Sequence, residues 1–412
     1  MLAACGACSF WIGAGGTIRG MLRVAVAVLL VGSTGCGRLG FDSSRDGNDS
    51  AVDDGSAVDD AAPIDTPVGM SCTTDVECGR CARCDGVCAV EPVVQLFLGH
   101  RSTCYIGAGG TRWCAGDNSS GQLGLGDTTS RSTPTRTADG DQWERINLFY
   151  NGRAHATRLG QFYEWGNGTL LPTAIGASRS VRGVLGDLSN ECFWEVDNTA
   201  PTCPGAGATV WHSLDFGADH YCGIKTDRTL WCWGTNYSDA VGVNTAEGAM
   251  IAAPTQVGTD TDWDQVGTGG RNAGVNFTGS TCARKTNGQI FCWGHPSLTG
   301  TNGVNVGPTP TLITPATDWM WIDVDWQHAC AGKTNGTVWC WGADTYGGYV
   351  APGLMSAPVP TLIPGTYDRW IMGGHHACGL TGGRWRCMGW NQDGQLGVGT
   401  TTSMGELVDL CP

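Results

Sequence analysis

The sequence has little positive charge and no strong helix signal. Of its 412 residues only 24 are Lys or Arg, against 38 Asp or Glu, and the formal net charge is −14. An acidic protein repels phosphate backbones, so we expect no nucleic-acid partner. No segment shows apolar residues at the 3.6-residue spacing of a long amphipathic helix. A helical bundle is therefore excluded.

Motifs of the common enzyme classes are missing as well. The sequence contains no Ser with a matched His and Asp, no His-Glu-x-x-His and no Gly loop that would cradle a phosphate. We therefore expect no catalytic residues, no cofactor and no metal, and a protein that is not an enzyme.

Glycine, tryptophan and cysteine are abundant instead. The 65 Gly residues predict frequent turns, and the 18 Trp residues are enough to fill the core of a protein with many short strands. The fold class is therefore predicted to be all-β. The 21 Cys residues call for a separate explanation, which their spacing supplies.

The amino-terminal segment has the features of an export signal. Met21-Leu22-Arg23 precedes an apolar run over 24–31, and the small residues that follow end at Cys36. The run is too short to span a bilayer. We predict a signal peptide over 1–35, with Met21 as the true start, and lipidation of Cys36 in an exported protein of the outer membrane or cell surface, or one that faces the periplasm. Ser33 stands where such signals usually carry Leu, so ordinary signal-peptidase cleavage nearby is the alternative.

Two further segments precede the main body. Residues 36–70 are rich in Asp, Ser, Ala and Gly and cannot bury enough apolar surface to fold, which predicts an acidic, flexible tether. Residues 71–91 carry five cysteines. The spacing from Cys78 to Cys88 resembles that of an iron-sulfur cluster run. A small disulfide module is favoured, because Ala89 replaces the usual Pro and the segment is exported.

A strand-turn-strand phrase recurs along the rest of the chain. Five copies are clear, at 104–116, 222–234, 282–294, 330–342 and 378–389, and two are degenerate, at 155–166 and 192–205. A Trp-x-x-apolar strand precedes several copies and a Pro-containing strand follows several, so that each unit has four short strands. Such units form the blades of a propeller. We predict a seven-bladed β-propeller over 92–412, with units that start near 94, 144, 181, 212, 264, 321 and 370.

The cysteines of the repeats are spaced for disulfides across each hairpin, because paired residues of antiparallel strands lie within disulfide reach. The predicted pairs are Cys104 with Cys114, Cys192 with Cys203, Cys222 with Cys232, Cys282 with Cys292, Cys330 with Cys340, and Cys378 with Cys387. Cys411 is left over, and we predict that it joins Cys88 and so ties the end of the propeller to its start. So many disulfides indicate an oxidising compartment.

Two segments, Asn118-Ser-Ser-Gly-Gln-Leu-Gly124 and Asn391-Gln-Asp-Gly-Gln-Leu-Gly397, resemble the regulator-of-chromosome-condensation repeat. The resemblance extends over about 92–412 and implies seven blades. Secreted bacterial members include protein inhibitors of β-lactamase, and nuclear members are exchange factors for a small GTPase. We do not expect the exchange activity here, because a cytosolic GTPase would not meet an exported, disulfide-bonded surface.

Four histidines recur near the hairpin cysteines. We place His155, His220, His328 and His376 two residues before the cysteine position of their units. Equivalent positions in different blades lie on a ring, apart from one another. We therefore interpret these histidines as packing residues and not as a general base or a metal site.

These observations predict a lipid-anchored, monomeric, non-enzymatic module that binds a protein or glycan. The alternative is a carbohydrate-active propeller that uses paired carboxylates. The loop before each hairpin and the loop after its Trp-Gly share one face of the propeller, and loops on a rigid scaffold usually carry function. The predicted binding residues on that face are His100, Arg101, Arg153, Asp219, Tyr237, Arg271, Asn272, Phe277, Trp326, Gln327, Tyr346, Tyr349 and His375.

Overall fold

A computed structural model describes most of the predicted propeller and a short segment before it. The described residues are 82–84, 88–138, 140–149, 151–175, 181–185, 192–195, 209–217, 219–273, 276–304, 306–325, 328–343 and 356–410. The predicted signal peptide, the tether and Cys36 lie outside them. Within these ranges the chain contains strands, one 3₁₀ turn and no α-helix, and no helix could cross a membrane.

The strands form six four-stranded antiparallel sheets and two small two-stranded ones. We number the blades by the predicted units, and each blade has strands A to D in chain order. The bounds are as follows. The first small sheet is β1 (Ala82–Cys84) with β2 (Cys88–Val90). Blade 1 is β3 (Val93–Leu98), β4 (Ser102–Gly107), β5 (Arg112–Gly116) and β6 (Arg131–Arg136). Blade 2 is β7 (Trp143–Leu148), β8 (Arg153–Arg158), β9 (Gln161–Gly166) and β10 (Thr169–Ala174).

The third unit is described through β11 (Val181–Leu185) and β12 (Cys192–Glu195). Blade 4 is β13 (Trp211–Phe216), β14 (His220–Lys225), β15 (Leu230–Thr235) and β16 (Met250–Gln256), with the 3₁₀ turn at Tyr237–Asp239. Blade 5 is β17 (Trp263–Ala273), β18 (Asn276–Lys285), β19 (Ile290–Gly294) and β20 (Thr311–Leu312). Blade 6 is β21 (Trp319–Val324), β22 (His328–Lys333), β23 (Val338–Ala343) and β24 (Ser356–Ile363). Blade 7 is β25 (Arg369–Met372), β26 (His376–Thr381), β27 (Arg384–Gly389) and β28 (Met404–Asp409).

The fold is the predicted all-β propeller. The first strand of each unit begins within two residues of its predicted start, and in five units a Trp at the first or second position marks strand A. The number of blades stays a prediction at seven, since the remainder of the third unit lies outside the described residues.

Five of the predicted hairpin disulfides are present, at 104–114, 222–232, 282–292, 330–340 and 378–387. In each, the two cysteines are direct partners of strands B and C, with Cα atoms 4.0–4.1 Å apart. Cys192 lies on β12, but its predicted partner Cys203 and the predicted partner of Cys88, Cys411, lie outside the part of the chain that the structure describes.

The hydrophobic core lies between successive blades. One cluster joins Phe97 of blade 1 to Trp165 of blade 2, and others join blades 4 and 5, 5 and 6, and 6 and 7. A further cluster joins Leu96 of blade 1 to Trp385 of blade 7, so the last blade packs against the first. Each fully buried large apolar side chain contributes about 2 kcal/mol. The ring is therefore held by the contacts between blades.

Glycine lets the strand ends approach closely around the ring. Gly217 and Gly373 directly follow strand A in blades 4 and 7, and Gly269 is the equivalent residue within the longer strand A of blade 5. A Cβ at Gly217, Gly269 and Gly373 would lie 3.0, 2.1 and 2.6 Å from the carbonyl oxygen of the equivalent residue in the next blade, which is residue 269, 325 or 99. Any side chain would clash, so the close spacing of the blades requires glycine here.

Candidate functional site

The loops between strands A and B are tight turns in most blades. In blade 1 the N–H of Gly99 donates to the carbonyl of Ser102 (2.8 Å), and in blade 7 the N–H of Gly373 donates to the carbonyl of His376 (2.8 Å). The two residues between are the turn tips. His100 and Arg101 therefore occupy the tip in blade 1, and His375 occupies the tip in blade 7.

These two turns meet where the last blade joins the first. The N–H of Gly374 donates to the carbonyl of Gly99 (3.1 Å). The imidazole rings of His100 and His375 lie 4.4 Å apart between centroids. Three predicted binding residues, His100, Arg101 and His375, are thus brought together.

Arg101 organises the surface at this junction. Its Nε and Nη2 donate to both carboxylate oxygens of Asp393 (2.7 and 2.6 Å), and its Nη1 lies 3.6 Å from Asp117. The guanidinium also covers the ring of Trp390 at 5.2 Å, and that ring meets His375 edge to face at 5.1 Å. The Arg101 side chain is 39% exposed, which leaves it open to a partner.

We call this set the seam site: His100, Arg101, Asp117, His375, Trp390 and Asp393. Sequence reasoning missed Trp390, Asp393 and Asp117. A signal for two of them was available in the sequence. Trp390 directly precedes the Asn391–Gly397 repeat motif and Asp393 lies within it, in the C–D loop of blade 7. The A–B and C–D loops of a blade lie at the same end of its antiparallel strands.

Burial keeps the histidines of this region uncharged. It lowers the pKa of His100 to about 4, of His376 to about 3 and of His375 to about 2, with further lowering at His375 from the neighbouring His100, His328 and His376. Asp325 acts in the opposite direction on His100 and His376. At neutral pH these three rings are therefore neutral.

His376 also connects the two blades through a hydroxyl. The hydroxyl of Thr103 donates to the carbonyl of Gln395 (2.7 Å), so the Nε2–H of His376 donates to that hydroxyl (2.7 Å). The same arrangement joins blades 4 and 5, where His220 Nε2 lies 2.9 Å from Thr281 Oγ1 and Thr281 donates to the carbonyl of Ala240 (2.7 Å).

A second group of predicted residues lies around a long hairpin. Strands β17 and β18 continue beyond the other A and B strands, and Arg271, Asn272 and Phe277 lie on this paired extension. A Cβ on Gly279 would lie 2.9 Å from the carbonyl oxygen of Tyr237, in the C–D loop of blade 4. The extension thus emerges beside Tyr237. Asp219 lies in the A–B loop of the same blade, and its carbonyl accepts the N–H of Thr235 (2.7 Å).

Two positions in blade 2 were wrongly aligned. His155 pairs with Glu164 across the hairpin, at the register of the cystines, and not two residues before it. Arg153 pairs with Gly166 and so takes the position of His220 in blade 4, on a strand and not at a turn tip. It forms an ion pair with Glu164 (3.2 Å). The error arose because blade 2 has no cysteine to mark the register.

Four predicted binding residues, Trp326, Gln327, Tyr346 and Tyr349, lie outside the described residues. In the part that is described, no group of three or more His, Cys, Asp or Glu side chains is arranged to hold a metal ion. The two carboxylates of the seam site, Asp117 and Asp393, both face Arg101. The arrangement offers a charged, aromatic surface for binding.

Comparison with known proteins agrees with the repeat pattern. Residues 211–239, which include strands A, B and C of blade 4, match the regulator of chromosome condensation (RCC1) repeat. A search of curated protein sequences finds no significant match.

Several solved structures are similar in fold at low sequence identity. Human WBSCR16 is 16% identical over 79% of this chain and 83% of its own, with a TM-score of 0.45. Prp20p from Saccharomyces cerevisiae is 14% identical over 76% of each chain, with a TM-score of 0.42. The ectodomain of the Physcomitrella patens receptor kinase CR4 is 16% identical over 71% of each chain, with a TM-score of 0.45.

Proposed function

We propose that this propeller of regulator-of-chromosome-condensation repeats is a non-enzymatic binding module that recognises a protein partner through the loops of its A–B and C–D face. The observation that carries the proposal is the seam site. Arg101 is partly exposed, stacked on Trp390 and held by Asp393. Arg and Trp are the residues that most often anchor protein interfaces.

The fixed geometry of the seam site favours binding. Both oxygens of Asp393 hold the guanidinium, so Arg101 loses little side-chain freedom when a partner packs against it. The face also carries the extended hairpin β17–β18, which projects beyond the neighbouring strands. A rigid charged patch with a projecting hairpin is better suited to a folded protein surface than to a small molecule. A glycan partner is the second outcome that the experiment below distinguishes.

We further propose that the module is exported and held at a membrane by a lipid on Cys36. The support is the signal pattern that ends at this residue, together with the five cystines, which are typical of an oxidising compartment. The acidic segment 36–70 then separates the propeller from the membrane. Cys36→Ser should abolish metabolic labelling with a fatty acid and release the chain into the soluble fraction.

Photo-crosslinking tests the binding proposal. A photoreactive phenylalanine derivative replaces Trp390 in the full chain, and the same group replaces Trp339 as the control, a half-buried Trp on strand C of blade 6. We expect a discrete protein adduct from position 390 and none from position 339. An adduct that glycosidases remove would indicate a glycan partner. Equal labelling from both positions would contradict a partner site at the seam.

A further inference from the structure

Several buried histidines gather in and around the seam site. The sequence has eight His, and three of them, His100, His328 and His376, lie close enough to His375 to oppose its protonation. They come from the A–B turns of blades 1, 6 and 7 or from the first residue of the strand that follows. His328, His375 and His376 are at most 5% exposed.

The junction of blades 4 and 5 provides a natural comparison. It has the same contact of histidine, threonine and carbonyl, through His220, Thr281 and Ala240. Burial alone lowers the pKa of His220, to about 4, and no neighbouring charged group contributes. The two junctions share one geometry but differ in how many histidines each buries.

Charged groups face the seam histidines from every side. His100 faces Asp325, Asp117 and Asp393, which favour its protonation, and Arg101, which opposes it. His375 faces Arg101 and three histidines, all of which oppose it. His376 faces Asp325 and His100. The balance leaves all three rings with a pKa below the ordinary value of 6.5.

Separation of blades 7 and 1 at their junction, which we call the seam, would return these rings to water. There each ring binds a proton below about pH 6.5, whereas in the closed seam it does not. Opening of the seam therefore takes up to three protons between about pH 6.5 and pH 4, and opening of the junction between blades 4 and 5 takes one. Because the open state binds more protons, lower pH favours it, and more steeply at the seam.

We propose that the seam is an acid-sensitive latch: on acidification, protonation of His100, His375 and His376 parts the turns of blades 7 and 1 and takes apart the surface of Arg101 and Trp390, so that a partner is held at neutral pH and released in acid. The release rests on the proposed function. The latch does not, because it is a property of the protein alone.

Hydrogen exchange of the full chain, without a partner, tests the latch between pH 7 and pH 4.5. The readout is the local opening constant, corrected for intrinsic exchange, in peptides that cover 98–103 and 372–377, compared with peptides that cover 217–222 and 279–283. Each proton taken up multiplies the constant by about 10 per pH unit. We expect up to roughly 1,000-fold per pH unit at the seam and roughly 10-fold at the comparison junction. Equal slopes, as one global unfolding event would give, overturn the proposal.

Substitutions identify which histidines take up the protons when each junction opens. His100→Asn with His375→Asn should reduce the slope at the seam to that of one proton, and His220→Asn should flatten only the slope at blades 4 and 5. A folded double variant with an unchanged seam slope also overturns the proposal. If the double variant does not fold, the two slopes of the unaltered chain still decide, because both are measured in one sample.

Discussion

His155 lies directly opposite Glu164 in blade 2, at the position where five other blades carry a cystine. Its Nε2 is 3.6 Å from a carboxylate oxygen of Glu164, and its ring makes T-shaped contacts with the rings of Phe149 and Phe162, at 4.9 and 5.0 Å between centroids. Burial lowers the pKa of His155 to about 3. In blade 2, contacts of a neutral imidazole with two phenyl rings therefore take the place of the disulfide, and the backbone register of the hairpin is the same as in the other blades.

A cystine should be accepted at this position. We predict that His155→Cys with Glu164→Cys forms a disulfide, because the two residues are direct partners in the same register as the native pairs. The closed loop of about ten residues should stabilise the fold by about 3 kcal/mol, less the lost aromatic contacts. Non-reducing peptide mapping and denaturant unfolding check this. Two free thiols in the folded double variant would show that the strand geometry differs.

The glycine spacing between blades gives a second prediction. Gly269→Ala should destabilise the protein by about 3 kcal/mol, because its Cβ would lie 2.1 Å from the carbonyl oxygen of Asp325. Gly267→Ala, on the same strand, is the matched control. Its Cβ would lie 3.1 Å from Val324 Cγ2, and the expected cost is about 1 kcal/mol. Equal free energies of unfolding for the two variants would contradict the close approach.

The shared contact of histidine and threonine predicts equal effects at two distant junctions. Thr103→Val and Thr281→Val each remove a hydroxyl that bonds both a buried histidine and a carbonyl. Each should cost about 2 kcal/mol at neutral pH, since polar groups remain buried without a partner. Urea unfolding measures the cost. A loss below about 0.5 kcal/mol in either variant would remove that contact from the interactions that hold the ring.

The predicted link between Cys88 and Cys411 would fix the ends of the propeller. Strand β2 begins at Cys88, and strand β28 ends shortly before Cys411. The prediction rests on the number of cysteines: Cys411 has no partner in a hairpin, and the odd number of five cysteines in residues 71–91 leaves one of them to pair with it. Mass spectrometry of non-reduced peptides should find the two joined, and Cys411→Ser should lower the thermal midpoint. A free Cys411 thiol in the mature protein would show that the ends are held by noncovalent contacts alone.

The fold could be predicted because each blade repeats its own signals. A Trp at or next to the start of strand A in five units, two cysteines nine or ten residues apart in five hairpins, and a Gly two residues after the second cysteine fix the register without long-range information. The predicted register was wrong in blade 2. Because this blade has no cysteines, His155 was placed two residues out of register. In blade 4 the repeat motif has lost its first glycine, yet Asp239 takes a left-handed φ of 64°, close to the 79° of Gly121 in blade 1.

The candidate site was harder to predict, because it is formed between blades. Aligned loops identified His100, Arg101 and His375 individually. Their meeting depends on closure of the ring, which brings the first and last blades together across most of the sequence. Asp393 lies within the Asn391–Gly397 repeat motif and Trp390 directly precedes it, and that motif indicates the fold and not a binding site. Nothing in the local sequence around Asp393 shows that Arg101 is its partner.

The most direct test of the account is the affinity of the crosslinked partner for two arginine variants. Arg101 belongs to the seam site, whereas Arg136 lies at the opposite end of blade 1, 25% exposed and paired with Asp141 (3.0 Å). Arg101→Ala should weaken binding by roughly 5- to 100-fold, with the fold intact by circular dichroism, and Arg136→Ala should leave it unchanged. Full affinity of Arg101→Ala, or an equal loss for both variants, would contradict the seam site as the binding surface.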